Sequence, residues 1–206
     1  MNKKITLSLV LLLLLPYLPT VTSGENVSKI IDWSQKKTWT TSSTPRDFAV
    51  SFDKKKIFIL EADNKVRVYA NSYNGIRLGI IKVAPTTVAL DIAPRGGMLY
   101  LIGSDKTYTA LEIIYQKKDD RIADWSVKHT WKTDTQPLDI AQSFDKKYAF
   151  ILESDSQVHI YSIEGKIYRK VPVSPGTVAI TIPSRKRIIS LVDRHRTYKS
   201  IKIPLL

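Results

Sequence analysis

The sequence has 206 residues, and its 32 Lys+Arg outnumber its 19 Asp+Glu. It contains no cysteine, which excludes disulfides, thiolate metal sites and thiol nucleophiles. The excess of positive charge favours anionic partners, either an acidic protein or an anionic envelope component, but it does not bear on the fold.

The N-terminus has the layout of a secretory signal peptide. Lys3 and Lys4 precede an apolar run at 5–15, and small residues at 21–23 precede Gly24. The run is shorter than the roughly 20 residues that cross a bilayer. The pattern predicts a signal peptide at 1–23 of bacterial type, a periplasmic or secreted protein, and no transmembrane segment after cleavage; the alternative is a retained anchor. Export argues against nucleic acid as the partner.

The rest of the chain, 24–206, is predicted to be one domain made of two copies of the same sequence. The copies cover residues 32–113 and 124–203. Matching residues lie 92 positions apart up to Gly75, as Ser-Phe-Asp-Lys-Lys at 51–55 and 143–147 shows, and 90 positions apart beyond it. Self-similarity at a fixed spacing is typical of repeat architectures.

Each copy divides into two units of about 45 residues, the size of a propeller blade. Three short strands are predicted in each unit, and in the first copy they lie at 47–52, 57–61 and 66–70, then at 88–92, 98–102 and 108–113. A further strand precedes each triplet, at 37–41, 78–83, 129–133 and 167–173. The predicted fold class is therefore all-β, a β-propeller of four four-stranded blades arranged as two tandem two-blade repeats.

The apolar patterns predict how the strands are covered. The second strands are nearly continuous apolar runs, as at 57–60, which indicates cover on both faces. The third strands alternate, as at 66–69, which predicts one face toward water. The last unit lacks an outer strand and the strand at 37–41 is spare, so their pairing would remove open edges. The result is a closed four-bladed ring, half of an eight-bladed dimer, or part of a larger complex.

Residues 44–53 and 66–69 resemble the YVTN and NHL-like repeats of extracytoplasmic propellers. In those repeats a Pro precedes the innermost strand, Ser-x-Asp closes it, and an aromatic-rich strand follows; Pro45, Ser51 and Asp53 occupy these positions. The second copy fits equally well, whereas the other two units replace Ser-x-Asp. The resemblance implies a binding scaffold in most cases, and a lactonase or dehydrogenase in some.

Acidic, histidine and tryptophan side chains are predicted to be structural. Aspartates at the hairpins favour turn roles, and these are Asp53, Asp63, Asp105, Asp145 and Asp155. Glu61 and Glu153 could hold a cation in a central channel, but strand ends facing water are favoured, and His159 is predicted to be exposed. The repeated tryptophans are predicted to pack between blade edges: Trp33, Trp39, Trp125 and Trp131. No catalytic residue, metal site or cofactor is predicted.

Basic loops provide the predicted partner-binding site. Loops that join first and second strands emerge on one face and carry Lys54, Lys55, Lys56, Arg95, Lys146, Lys147, Arg185, Lys186 and Arg187. The opposite face offers the alternative set Arg46, Lys65, Lys106, Arg194 and Arg196. Positive charge on one face suits an acidic partner. The predicted function is an exported scaffold that binds an anionic partner without catalysis. The alternatives are a metal-dependent lactonase or sugar-processing hydrolase of propeller type, a homodimer, or a structural subunit of a larger envelope complex.

Overall fold

The computed structural model describes residues 40–72, 75–93, 97–182, 188–195 and 197–202. All of them belong to one compact unit, Lys37–Leu206. They form strands and turns only, so this part of the chain includes no helix long and apolar enough to cross a membrane. The predicted signal peptide, Trp33, Trp39 and most of the predicted strand at 37–41 lie outside the described residues.

The strands form four antiparallel sheets, each of which follows the chain order. Sheet 1 contains β1 (Pro45–Val50), β2 (Lys56–Glu61), β3 (Lys65–Ala70) and β4 (Arg77–Lys82). Sheet 2 contains β5 (Thr87–Ile92), β6 (Met98–Gly103), β7 (Thr107–Tyr115) and β8 (Ile122–Lys132). Sheet 3 contains β9 (Pro137–Gln142), β10 (Tyr148–Glu153), β11 (Gln157–Ser162) and β12 (Ile167–Pro172). Sheet 4 contains β13 (Thr177–Thr181), β14 (Ile188–Asp193) and β15 (Tyr198–Lys202).

The sheets stack side by side through their first strands. β1 contacts β5, β5 contacts β9, and β9 contacts β13. Three apolar clusters hold the stack together, one in each gap between neighbouring sheets. This radial arrangement is a β-propeller of four blades, numbered here as the sheets are, and it confirms the predicted all-β fold.

The second strand of blade 3 lies in the core because the neighbouring blades cover both of its faces. In β10, Ala149 and Ile151 pack toward blade 2, whereas Phe150 and Leu152 pack toward blade 4. All four are at most 1% exposed. Alternate side chains of a strand point to opposite faces, so a continuous apolar run supplies both interfaces, as the sequence pattern predicted.

The prediction that the third strands have one face toward water is wrong for β3 and β11. Residues 66–69 of β3 are all buried, and Arg67 and His159, on the polar side of the alternation, are 6% and 0% exposed. The physical reason is that β3 and β11 each lie between two other strands of their own sheet, and β11 also lies between blades 2 and 4. A polar side chain there stays buried only because it finds partners.

The described inner strands form an arc that does not close on itself. No Cα atom of β1 lies within 8 Å of a Cα atom of β13. Blade 4 has three strands within the described residues, whereas blades 1 to 3 have four. The first and last blades therefore do not meet through the parts of the chain that the structure describes.

Candidate functional site

The β1–β2 and β9–β10 loops meet on one face of the propeller. Both loops have the sequence Ser-Phe-Asp-Lys-Lys. The rings of Phe52 and Phe144 pack edge to face, with centroids 5.7 Å apart and planes at 76°. The two residues remain 47% and 41% exposed. An aromatic pair that touches and yet stays open to solvent is available for contact with a partner.

The aspartate of each loop shapes its turn. Asp53 Oδ1 accepts hydrogen bonds from the Ser51 hydroxyl at 2.6 Å and from the Lys55 backbone N–H at 3.0 Å. Lys54 has a positive φ of 58°. Burial raises the pKa of Asp53, but the two hydrogen bonds and nearby lysines outweigh it, so the net shift is downward. The second copy repeats these bonds with Ser143, Asp145 and Lys147, which confirms the predicted turn role.

Four lysines lie in the same two turns as the aromatic pair. Lys54, Lys55, Lys146 and Lys147 are exposed, and within the described residues their ammonium groups make no ion pair. Together with Phe52 and Phe144 they form a surface that we name the Phe52 patch. It joins positive charge to apolar area, and both copies of the duplicated sequence contribute equally to it.

Lys56, although predicted to bind a partner, lies in the interior. It is 7% exposed, and its ammonium nitrogen lies 3.2 Å from Asp120 Oδ2 and 4.7 Å from the ring centroid of Tyr115. It therefore ties β2 to the β7–β8 loop of blade 2. Four other predicted residues, Arg95, Arg185, Lys186 and Arg187, lie outside the described residues.

The alternative basic set lies at the opposite ends of the strands, and most of its cations donate to protein oxygens. Arg46 donates to the Ala62 carbonyl at 3.4 Å, Lys65 lies 2.7 Å from Asp63 Oδ2, and Lys106 donates to the Asp134 carbonyl at 3.1 Å. Arg194 is exposed, and Arg196 lies outside the described residues. We name Arg46, Lys65, Lys106 and Arg194 the Arg46 set.

Glu61, predicted to face water at a strand end, is instead fully buried. Its Oε2 atom lies 2.6 Å from Nη1 of Arg67, whose Nη2 atom lies 2.7 Å from Asp63 Oδ2. The hydrogen bond from Arg67 is the main reason that the pKa of Asp63 lies well below its usual range. A buried carboxylate needs such a partner, so this glutamate serves the fold.

The second copy replaces the arginine with a histidine. His159 is 0% exposed, which corrects the prediction that it is exposed. Its Nδ1 atom lies 3.3 Å from Glu153 Oε1 and its Nε2 atom 2.9 Å from Asp155 Oδ2. Glu153, also predicted to face water, is fully buried and accepts from the Tyr161 hydroxyl at 2.5 Å and the Thr135 hydroxyl at 2.8 Å. The network connects neighbouring strands, and its side chains hydrogen-bond to one another.

Three aspartates that the sequence reasoning did not single out link successive blades. Asp47, Asp91 and Asp139 each accept a hydrogen bond from the next residue's N–H. Each also accepts one from the inner strand of the following blade, and the donors are the N–H groups of Leu90, Gln142 and Ile180 at 2.7, 2.6 and 2.7 Å. Aspartate is uncommon inside strands. Its presence in three predicted inner strands was the sequence signal from which a bonding role could have been predicted.

Burial of these aspartates changes their acidity. Desolvation raises the pKa of Asp47 to about 6 and that of Asp91 to about 7, against the opposing hydrogen bonds. Desolvation, with repulsion from Asp47, also raises the pKa of Asp139. Perturbed acids can mark a functional site, but here the oxygens are used by backbone donors. In the part of the chain that the structure describes, no group of three or more His, Asp or Glu is placed to hold a metal ion.

Trp131 fills the junction between blades 2 and 3. Its ring lies 4.2 Å from that of Tyr108 and 4.5 Å from that of Tyr161, and its Nε1 donates to the Ile163 carbonyl at 3.2 Å. The ring lies so close to Gly165 that a Cβ atom there would be 2.5 Å from its Cγ. This confirms, for Trp131, the predicted packing between blade edges.

Comparison with known proteins supports the fold and gives no family. No protein-family model matches the sequence, and no curated protein sequence matches it. The β-propeller domain of Cps50 (Swd1) from Myceliophteria thermophila is similar in structure, with a TM-score of 0.60 and 9% sequence identity. The match covers 76% of this chain and 50% of that one, so this chain spans about half the length of that domain.

Proposed function

We propose that the chain is a propeller scaffold without catalysis, and that it binds an acidic segment of a partner protein at the Phe52 patch. The observation that carries this proposal is the contact between Phe52 and Phe144, in two turns that also contain four exposed lysines. Aromatic side chains supply much of the binding energy in protein interfaces. The lysines add electrostatic complementarity, which speeds association and selects acidic partners.

The position of the charges favours this face over the opposite one. The four lysines of the Phe52 patch have ammonium groups without ion pairs in the described residues, whereas three cations of the Arg46 set already donate to protein oxygens. A partner's carboxylates would not have to displace an internal acceptor at the Phe52 patch. The aromatic pair also provides apolar contact that the Arg46 set lacks.

The proposal also includes an exported location and membership of a propeller family. The signal-like layout of 1–23 supports a periplasmic or secreted protein. The Pro, Ser-x-Asp and aromatic positions of both copies support membership of the YVTN/NHL-like propellers. An acidic envelope protein would then be the natural partner.

The test compares two variants that each remove four positive charges. One is K54Q/K55Q/K146Q/K147Q in the Phe52 patch, and the other is R46Q/K65Q/K106Q/R194Q. The probe is a fluorescent peptide of Asp, Glu and one Phe, with an Asn/Gln peptide of the same length as its control. We expect the acidic peptide to bind, to weaken as salt rises, and to lose about tenfold in affinity only in the first variant.

Two outcomes would contradict the proposal. Equal losses of affinity in both variants would show that the peptide responds to the net charge of the protein and not to a defined surface. Binding to vesicles that contain phosphatidylglycerol, with no binding to the acidic peptide, would assign the surface to an anionic lipid instead. Circular dichroism of both variants verifies that the blades remain folded.

A further inference from the structure

The two turns of the Phe52 patch are held in the same register in both copies of the sequence. Val50 and Ile57 flank the first turn as opposite residues, and Gln142 and Ala149, 92 positions later, flank the second. In each turn the serine N–H donates to the carbonyl five positions further on, at 2.9 Å in both copies. The two turns therefore present their side chains to the patch in the same way.

The middle of each turn has the same uncommon backbone conformation. Lys54 and Lys146 have positive φ angles of 58° and 64°, in a region that glycine and asparagine adopt more readily than lysine. The serine and the aspartate make the side-chain hydrogen bonds that hold each turn. These bonds require neither the exposed phenylalanine nor the ammonium groups. The fold alone therefore does not account for the phenylalanine and the lysines that both turns share.

Matching positions outside the turns differ between the two copies. Arg67 is matched by His159, and Lys56, which follows the first turn directly, is matched by Tyr148. The five residues of the turns, by contrast, are identical in the two copies. The Phe52 patch thus consists of two equivalent halves, although the blades that carry them have diverged.

We propose that the Phe52 patch is divided into two equivalent half-sites, and that it binds a segment in which an acidic cluster lies on each side of one apolar residue. The lysines at 54–55 form one half-site, and those at 146–147 form the other. The apolar residue contacts Phe52 and Phe144, whose ring centroids are 5.7 Å apart, close enough for one ring to contact both. This inference rests on the proposed function and adds the order of charged and apolar residues in the partner.

Two half-sites on one surface make affinity depend on how the partner's charge is arranged. In each turn, two lysines and one aspartate leave a net charge of +1. An acidic cluster bound at one turn raises the effective concentration of a second cluster at the other turn. A segment with a cluster on each side is therefore bound more tightly than one of the same composition with all its acidic residues on one side. Because the half-sites are equivalent, the one-sided segment can use either of them.

The test uses three peptides of the same composition with blocked termini. The split peptide is Asp-Asp-Gly-Phe-Gly-Asp-Asp, and the one-sided peptides are Asp-Asp-Asp-Asp-Gly-Phe-Gly and its reverse. We expect the wild type to bind the split peptide about tenfold more tightly than either one-sided peptide, and to bind the two one-sided peptides alike. Fluorescence anisotropy at one fixed salt concentration measures all three affinities.

Variants of single half-sites assign the acidic clusters to the turns. K54Q/K55Q and K146Q/K147Q each remove two positive charges from one turn. We expect both variants to lose about tenfold in affinity for the split peptide, because it can then use only one half-site. For a one-sided peptide we expect a loss of only about twofold, because one of two equivalent half-sites remains.

The variant K65Q/K106Q removes two charges of the Arg46 set, and as the charge-matched control it should keep the wild-type affinities. Equal affinities of the wild type for the split and one-sided peptides would overturn the inference of two half-sites, while the acidic partner of the proposed function would stand. Unequal losses in the two half-site variants would overturn the equivalence of the half-sites. Binding of none of the peptides would overturn the inference and the proposed function together.

Discussion

The Asp91 carboxylate accepts a hydrogen bond from the Gln142 backbone N–H at 2.6 Å, and this bond joins the last blade of the first copy to the first blade of the second. Asp47 and Asp139 make equivalent bonds within the copies. Each pair of neighbouring inner strands is thus joined by one of the three aspartates. The stability of the arc therefore depends on the charge state of these side chains.

Stability should depend on pH through Asp91. Its pKa is raised from 3.8 to about 7 in the folded chain, so its protonated form contributes stability that is complete below pH 4 and is lost as the pH rises through 7. We expect the difference in free energy of unfolding between the wild type and Asp91→Asn to shrink between pH 4 and pH 7. Urea titrations at several pH values measure it, and a constant difference would contradict the assignment.

Lys56 should behave as a core residue and Lys55 as a surface residue. Lys56→Ala removes a buried stem, the ion pair with Asp120 and the contact with the Tyr115 ring, and we expect a loss of about 1–3 kcal/mol in the free energy of unfolding. Lys55→Ala should change it by about 0.5 kcal/mol or less. Denaturant unfolding of both variants measures these free energies of unfolding. Equal losses in the two variants would indicate that Lys56 lies at the surface.

The Glu61–Arg67 pair should show strong coupling. Arg67→Met leaves a fully buried carboxylate without its partner, and we expect a loss of about 3–5 kcal/mol. The double variant E61Q/R67M removes the uncompensated charge and should recover much of that loss. If the effects of the two substitutions were additive, the pair would not be a buried ion pair.

Trp131 should be the most sensitive aromatic of the blade 2–blade 3 junction. Trp131→Ala removes two ring contacts and one hydrogen bond, and a loss of about 3–5 kcal/mol follows. Val127→Ala, on the same strand but 56% exposed, is the matched control and should stay near the wild type. Thermal unfolding followed by near-ultraviolet circular dichroism compares the two.

The blades could be predicted because the repeat and the apolar runs are local patterns. The continuous run at 57–60 indicated a strand covered on both faces, and Ile59 and Leu60, which point to opposite faces, are both buried. The alternation at 66–69 misled, because a polar residue on a covered strand gives the same pattern as one facing water. Arg67 can be buried because it pairs with Glu61 on the neighbouring strand. A local sequence pattern does not reveal partners on another strand.

The Phe52 patch could be predicted only in part. The shared Asp-Lys-Lys turns predicted lysines on one face, and Lys54 and Lys146 are exposed in these turns. The contact between Phe52 and Phe144 depends on the distance between blades 1 and 3, which is a property of the assembled arc. The burial of Lys56 likewise depends on Asp120, 64 positions away along the chain. The residues around Lys56 therefore do not predict its burial.

The proposed binding surface requires that the two duplicated loops lie side by side, and pyrene labels at positions 52 and 144 measure this most directly. In the variant F52C/F144C, labelled with pyrene maleimide, we predict excimer emission from the folded protein that disappears in concentrated urea. A labelled F52C/K82C variant serves as the control for chance contact. Monomer emission alone from folded F52C/F144C would contradict the account, because two separated loops could not form one site.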